Sequence, residues 1–168
     1  MGYVLLLGGA RSGKSDRAVS LALESSRPVT FIATATAMDA EMTDRISRHR
    51  ATRPRKWMTL EEPVDLKGVI DAVADDQFLV VDCLTLWVSN LLGEGRSVAD
   101  ILAMADRVAT SLADRQGVVV TNEVGLGIVP ANELARTFRD ALGAVNVTFA
   151  RCASRSLFMV AGRALELS

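Results

Sequence analysis

The sequence predicts a three-layer α/β protein with a mostly parallel sheet. Short apolar runs alternate with segments of helical periodicity along all 168 residues. Most of these runs are continuous, as is typical of strands buried on both faces of a parallel sheet. The first run leads directly into a glycine-rich turn and a helix. No linker or repeat interrupts this order, so residues 1–168 are predicted to form a single domain.

Seven strands are predicted, and the last two form a hairpin around Gly162. The first strand precedes the glycine-rich turn, and a later one, with the sequence FLVVD, ends in a carboxylate. The predicted strands are Tyr3–Leu7, Val29–Ala33, Trp57–Thr59, Phe78–Asp82, Gly117–Thr121, Ser156–Val160 and Ala164–Leu167.

Helices are predicted between these strands. Two of them begin at capping boxes, formed by Thr36 with Asp39 and by Ser97 with Asp100. Apolar residues recur at steps of three and four from Leu134 to Cys152, which predicts a long amphipathic helix with Gly143 as a weak point. The predicted helices run from Lys14 to about Glu24, Ala37 to Arg50, Leu66 to Val73, Leu84 to Leu92, Ser97 to about Arg115 and Leu134 to Cys152.

The composition excludes several classes of protein. Hydrophobic residues make up 49% and charged residues 23%, which excludes a disordered chain, and the net charge of −1 lacks the footprint of a nucleic-acid partner. No apolar run approaches the roughly 18 residues of a membrane span, and no signal peptide is recognised. Cys83 and Cys152 have no metal-site spacing and do not suggest a disulfide scaffold. We expect a cytoplasmic protein.

Residues Gly8–Ser15, with the sequence GGARSGKS, fit the phosphate-binding pattern G-x-x-x-x-G-K-[ST] between a strand and a helix. Glycines let main-chain N–H groups curl around phosphate oxygens, and the following helix points its positive end at the same anion. Lys14 is placed to reach the β- and γ-phosphates, and the Ser15 hydroxyl to hold Mg²⁺. The motif predicts a nucleoside triphosphatase or transferase; a chance glycine turn is the alternative.

Asp82 ends the FLVVD strand, where a carboxylate is placed to order Mg²⁺ or its waters. Its alternative role is the N-cap of the next helix. Thr34 and the pair Asn122 and Glu123 also follow predicted strands, where α/β sheets usually bind ligands. Turn formation is the alternative role for Asn122 and Glu123, and Arg11 in the loop either faces solvent or pairs with a phosphate.

His49 is the only histidine, and six cations lie between residues 45 and 56. On the predicted helix it shares a face with Met42 and Ile46, so a buried, hydrogen-bonded histidine is one interpretation. The cations favour a second interpretation, a nucleophilic histidine. They disfavour imidazolium, and a neutral ring nitrogen can attack phosphorus. The cations themselves form either a solvated face or a second anion-binding surface.

The chain resembles the bifunctional adenosylcobinamide kinase/adenosylcobinamide-phosphate guanylyltransferase family of cobalamin biosynthesis over nearly its whole length. The most specific blocks are R-I-x-x-H, ending at His49, and NEVGLGIVP. The resemblance rests on Gly8–Ser15, Ile32–Ala35, Asp39–Arg50, Arg53–Pro63, Val81–Leu92, Thr121–Asn132 and Leu134–Asp140.

The resemblance implies two reactions and a recombinase-like P-loop fold with a C-terminal strand pair. ATP or GTP phosphorylates the aminopropanol hydroxyl of adenosylcobinamide. GTP then donates GMP to His49, releasing pyrophosphate, and adenosylcobinamide phosphate takes the GMP to give adenosylcobinamide-GDP. The resemblance also implies a homo-oligomer, a trimer with sites between subunits.

Lys14 and His49 are the expected catalytic residues, and Ser15 and Asp82 the expected Mg²⁺ ligands. A surface ion pair is the alternative role for Glu61, and a solvated charged face for Arg50 and Arg53. The expected nucleotide-binding residues are Gly8, Gly9, Ala10, Arg11, Ser12, Gly13, Lys14, Ser15, Ala33, Thr34, Ala35, Arg50, Ala51, Thr52, Arg53, Glu61 and Asp82.

Four positions depart from the family pattern, at Ala131, Ala144, Val147 and Ser154, and none of them touches the phosphate-binding motif or His49. Two other classes remain open. A small-metabolite kinase would share the motif and size but would not need His49, and a non-catalytic nucleotide-binding subunit would show no turnover on its own.

Overall fold

A computed structural model of the chain describes residues 2–36, 43, 44, 47, 50, 51 and 53–167. Its described strands form one seven-stranded sheet in the order β3-β2-β4-β5-β1-β6-β7. Strands β1 to β6 are parallel to their neighbours and β7 is antiparallel to β6, which confirms the predicted sheet and hairpin. The strands are β1 Tyr3–Gly8, β2 Val29–Ala33, β3 Met58–Glu61, β4 Phe78–Asp82, β5 Gly117–Val120, β6 Arg155–Val160 and β7 Arg163–Leu167.

The helices that the structure bounds are α1 Lys14–Glu24, α2 Leu66–Ala72, α3 Leu84–Gly93, α4 Val98–Ala113 and α5 Glu133–Cys152. Their ends lie within two residues of the predicted ones. Ser97 caps α4 as predicted, since its hydroxyl accepts from Asp100 N and donates to Asp100 Oδ2 at 2.6 Å. Gly143 does not interrupt α5.

The helix predicted from Ala37 to Arg50 falls largely outside the described residues, as do Asp39 of its capping box and His49. The part of this segment that the structure describes is helical, and it consists of Thr43, Asp44, Ser47, Arg50 and the following Ala51.

Each face of the sheet carries its own hydrophobic core. Leu5 and Leu7 of β1 pack into the larger core with α2, α3, α4 and α5, whereas Leu6 packs into the smaller core with Ala18 and Ala22 of α1. This alternation is what a parallel strand buried on both faces requires. Because β1 to β6 are parallel, their carboxyl ends meet at one edge of the sheet, where ligands bind in such sheets.

Beyond small differences at element ends, the structure corrects the sequence prediction for the edge strand and for one residue of the last helix. The strand predicted at Trp57–Thr59 begins at Met58 and ends at Glu61, although Trp57 is buried against the smaller core. Leu134, expected on the buried face of α5, is 71% exposed. Periodicity identifies one face of a helix, but it does not show how far that face lies over the sheet.

Within the described ranges, no helix has the length and apolar character needed to cross a membrane.

Candidate nucleotide-binding site

The loop between β1 and α1 is shaped by close packing against the C-terminal hairpin. A Cβ on Gly8, whose φ is 154°, would lie 2.4 Å from the carbonyl oxygen of Met159. A Cβ on Gly13, whose φ is 93°, would lie 3.0 Å from Gly162 Cα. The Gly162 N–H also donates to the Ser12 carbonyl at 3.0 Å. Only glycine fits both positions, and the C-terminal hairpin therefore packs directly against the phosphate-binding loop.

Lys14 places a buried positive charge inside this loop. The residue is 7% exposed, and its Nζ donates to the carbonyl oxygens of Gly8 at 2.9 Å and Gly9 at 2.6 Å and to Ser12 Oγ at 3.3 Å. Lys14 is also the first residue of α1, so the positive end of the helix adds to its charge. Together they make this corner of the molecule attractive to an anion.

A cleft of about 1090 Å³ opens at the carboxyl edge of the sheet, beside the loop. It brings together residues from β2, β3, β4 and the loop that are far apart in sequence. Those of the sequence-predicted site residues that line it are Ala10, Arg11, Ser12, Gly13, Lys14, Ser15, Ala33, Ala35, Arg50, Arg53, Glu61 and Asp82.

Asp82 lies in the cleft at the end of β4, as predicted for a metal-ordering carboxylate. Its alternative role is wrong, because the N-cap of α3 is Cys83. Ser15 lines the same cleft, so a hydroxyl and a carboxylate, both oxygen donors of the kind that Mg²⁺ prefers, face one space. Within the described part of the chain, no three His, Cys, Asp or Glu residues cluster as a metal site.

Arg53 is the more buried of the two arginines that follow β2 in the chain and line the cleft. Its guanidinium carbon lies 3.5 Å from the centroid of the Phe31 ring, a cation–π contact. Burial lowers the pKa of Arg53, and the negative charge of Asp82 opposes that shift. Arginine nevertheless stays protonated in proteins, so the cleft wall carries a fixed positive charge beside Asp82.

Arg50 and Glu61 form the ion pair that the sequence left open, with 3.3 Å between Arg50 Nη2 and Glu61 Oε1. Both side chains are mostly exposed, so the pair stabilises the fold by at most about 1 kcal/mol and its members can turn to a ligand at little cost. Glu62 acts differently, because its Oε1 accepts from Val64 N and Asp65 N and forms the turn before α2.

Some predicted site residues do not line the cleft. Thr34 is fully buried, and its hydroxyl donates to Cys83 O at 2.7 Å and accepts from Cys83 N at 2.8 Å. Gly8 and Gly9 instead present carbonyl oxygens to Lys14. Ala51 is exposed and also lies off the cleft, while His49 and Thr52 fall outside the described residues.

The cleft also includes Asn122, which the sequence placed at a ligand-binding strand end but which is not among the expected nucleotide-binding residues. Its N–H donates to Thr85 Oγ1 at 2.8 Å, and its carbonyl accepts from Asn146 Nδ2 at 3.0 Å. Both main-chain groups of Asn122 are therefore hydrogen-bonded. The residue lines the cleft just after β5, the strand that lies between β4, which ends in Asp82, and β1, which leads into the loop. The structure thus bears out the ligand-binding position that its place after a buried strand predicted, and not the alternative of turn formation alone.

Cys83 is a further cleft residue that the predicted set missed. Desolvation of its thiol, with a smaller contribution from Asp82, raises the pKa of Cys83 to about 11. The group therefore stays a neutral thiol at physiological pH, which makes it a poor nucleophile.

The parallel sheet, the glycine-rich loop with its buried lysine, and the carboxylate in the same cleft define a P-loop nucleotide-binding α/β protein. Two solved structures share this fold. A Pyrococcus horikoshii protein studied as PH0250 has a TM-score of 0.59 at 11% identity, covering 98% of this chain and 85% of its own. The RadB recombinase has a TM-score of 0.51 at 15% identity, covering 94% and 73%.

The chain belongs to the cobinamide kinase / cobinamide phosphate guanyltransferase family, whose model matches residues 4–167. It is 44% identical to the bifunctional adenosylcobalamin biosynthesis protein CobP of Pseudomonas aeruginosa, over 97% of this chain and 95% of the relative. It is 37% identical to the bifunctional adenosylcobalamin biosynthesis protein CobU of Escherichia coli, over 98% of both chains. These matches confirm the family resemblance found from the motifs.

Proposed function

We propose that this chain phosphorylates adenosylcobinamide with ATP or GTP and then guanylylates the product with GTP, giving adenosylcobinamide-GDP and pyrophosphate. The observation that carries this proposal is the buried Lys14 in a nucleotide-sized cleft that Asp82 also lines, in a chain that matches the bifunctional family over nearly its whole length. Pockets for ligands of that size enclose roughly 300 to 1,000 Å³.

In the kinase reaction, the hydroxyl oxygen of the aminopropanol arm attacks the γ-phosphorus, and the nucleoside diphosphate leaves. The loop amides and the Lys14 ammonium bind the phosphate oxygens and hold positive charge where negative charge develops. Arg53, which contacts the Phe31 ring, adds a further positive charge to the lining of the cleft. Contacts within the chain hold Lys14 and Arg53, so little reorganisation of these charges is needed during the reaction.

Ser15 and Asp82 are the residues that would hold Mg²⁺, with nucleotide phosphates and water completing its coordination. When bound, the ion neutralises charge on the phosphates and orients them.

In the guanylyl transfer, a neutral ring nitrogen of His49 attacks the α-phosphorus of GTP, and pyrophosphate leaves with the electron pair of the broken bond. The phosphate oxygen of adenosylcobinamide phosphate then displaces the histidine from phosphorus, which restores the imidazole. A free imidazole has a pKa of about 6.5, so most of it is neutral at pH 7.

Intact mass after incubation with GTP and Mg²⁺ tests the histidine role. Wild-type protein should gain the mass of one guanylyl group, and the adduct should disappear when cobinamide phosphate is added. His49→Ala should form no adduct yet still phosphorylate cobinamide. A His49→Ala protein that still retains acid-labile label from α-labelled GTP would exclude His49 as the nucleophile.

Lys14→Ala tests the shared nucleotide site, since both reactions should be lost with it. Each oxyanion donor of this kind contributes roughly 10²- to 10³-fold to the rate. Arg17→Ala, one turn along the same helix and paired with Glu24 on the surface, is the matched control and should keep both activities. Near-normal phosphorylation by Lys14→Ala would contradict the assignment.

The rival class, a small-metabolite kinase, predicts phosphorylation without any covalent guanylyl adduct. A homo-oligomer, with a trimer as the expected state, and a cytoplasmic location both remain predictions. Light scattering on the purified chain measures the oligomeric state, and fractionation of cells that express the chain measures its location.

A further inference from the structure

The segment after β5 presents an unusual set of exposed apolar side chains. We call Val124–Val129, with the sequence VGLGIV, the apolar loop; it contains no charged residue. Leu126 is 81% exposed, Ile128 97% and Val129 63%. Adjacent apolar side chains left this open to water usually mark a binding surface.

The apolar loop is anchored at both of its ends by polar contacts. On the β5 side, the Glu123 N–H donates to Gly8 O at 3.1 Å, which ties the loop directly to the phosphate-binding loop. On the α5 side, Arg136 Nη1 donates to Pro130 O at 3.0 Å and to Ala131 O at 2.7 Å. The segment is therefore a supported structure whose apolar side chains belong to neither core.

The sheet order places this loop where the acceptor must arrive. Strand β5 lies between β4, which ends in Asp82, and β1, which leads into Gly8. Asn122, just before the loop, lines the cleft. A substrate that brings its oxygen to a nucleotide phosphate bound at the glycine-rich loop thus passes the base of the apolar loop.

We propose that the apolar loop binds the corrin ring of the acceptor, in both reactions; this inference rests on the function proposed above. The periphery of cobinamide carries methyl groups and neutral amides, which match an uncharged loop of aliphatic side chains. The cleft of about 1090 Å³ is filled largely by a nucleotide and the aminopropanol arm, since single-ligand pockets span roughly 300 to 1,000 Å³. The macrocycle then lies outside the cleft, against its rim.

The space beside the loop suits a bulky ligand. A Cβ built on Gly127 would meet nothing within 4 Å, so no other part of the described chain fills the volume next to that residue. Apolar contacts with the loop side chains supply the affinity, as in other small-molecule sites. A second copy of the chain is the competing occupant of the same surface.

The test compares Leu126→Ser and Ile128→Ser with Leu165→Ser, a similarly exposed apolar residue on the edge strand β7. Cobinamide and cobinamide phosphate are the probes, with KM measured at saturating nucleotide. Loss of a Leu or Ile contact should raise the KM for both corrinoids about tenfold or more. The KM for nucleotide and the GTP-dependent histidine adduct, which needs no corrinoid, should stay at the wild-type level, and Leu165→Ser should change none of these quantities.

Three results would overturn the proposal, and they separate it from the proposed function. Unchanged corrinoid KM values in active loop variants reject the loop as the corrin site and leave the function intact. A loop variant with a lower oligomeric mass by light scattering assigns the loop to contacts between copies instead. A wild-type protein that binds nucleotide but neither binds nor phosphorylates cobinamide rejects both.

Discussion

Replacing Thr34 with Val distinguishes a structural threonine from a ligand-binding one. Thr34 follows β2 at the edge of the sheet where nucleotides bind, which is why the sequence places it in the site. In the structure its side chain is fully buried and bonded to both main-chain groups of Cys83. Valine keeps the shape of the side chain and removes only its hydrogen bonding.

The loss of stability in Thr34→Val depends on which hydrogen bonds of the Cys83 main chain remain. Cys83 O keeps a second donor, the Trp87 N–H at 3.2 Å, so it loses only one of two hydrogen bonds. Cys83 N loses the Thr34 oxygen and is left unsatisfied, which costs about 1–3 kcal/mol, and the lost bond to the carbonyl adds about 0.5–1.5 kcal/mol. Thr34→Val should therefore lower the free energy of unfolding by about 1.5–4.5 kcal/mol.

Urea denaturation at neutral pH measures this change, with the m-value as a check on two-state unfolding. Thermal unfolding should move by about 2–4 °C for each kcal/mol in a chain of this length. Thr34→Ser is the matched control: it keeps the hydroxyl and loses one methyl, which costs about 1 kcal/mol. Stability within about 0.5 kcal/mol of wild type in Thr34→Val, together with weaker nucleotide binding, would refute the structural role.

Three further substitutions have defined outcomes. Burial raises the pKa of Tyr3, whose hydroxyl donates to Phe149 O. Above about pH 10 the unfolded state loses the Tyr3 proton while the folded state keeps it, so the free energy of unfolding declines there. Tyr3→Phe should cost about 1 kcal/mol at pH 7 and show a shallower decline in alkaline urea titrations. Gly8→Ala forces a Cβ onto Met159 O and should cost about 2–6 kcal/mol, with nucleotide binding lost by calorimetry. Gly143→Ala, where a Cβ meets nothing, should instead raise the melting temperature through about 0.5–1 kcal/mol of added stability.

The secondary structure was largely predictable because this fold has strong local signals. Parallel strands buried on both faces give continuous apolar runs, so Val29–Ala33 and Phe78–Asp82 have the predicted bounds. Side-chain caps mark helix ends in the sequence, and Ser97 caps its helix as expected. The edge strand Met58–Glu61 was placed less well, because none of its residues is fully buried and its pattern is correspondingly weak.

The candidate site was predictable where the signal is local and not where it depends on contacts between strands. Gly8–Ser15 is one continuous segment whose residue types carry the chemistry, so pattern alone located it. A strand end, by contrast, offers alternate side chains to the cleft and to the interior. Thr34 faces inward to Cys83 while Ala33 and Ala35 line the cleft, and the sequence contains nothing that distinguishes these orientations.

The amino-acid sequence by itself identified a nucleotide-binding α/β protein of this family. The phosphate-binding loop, the start of the helix after it and the apolar strands are all patterns between residues close together in the chain. Packing assigned the remaining roles: it set Asp82 beside Arg53, buried Thr34 against Cys83, and tied the apolar loop to Gly8. The reason is that side-chain direction and burial depend on partners far away along the chain, and a linear pattern does not encode which of them will meet.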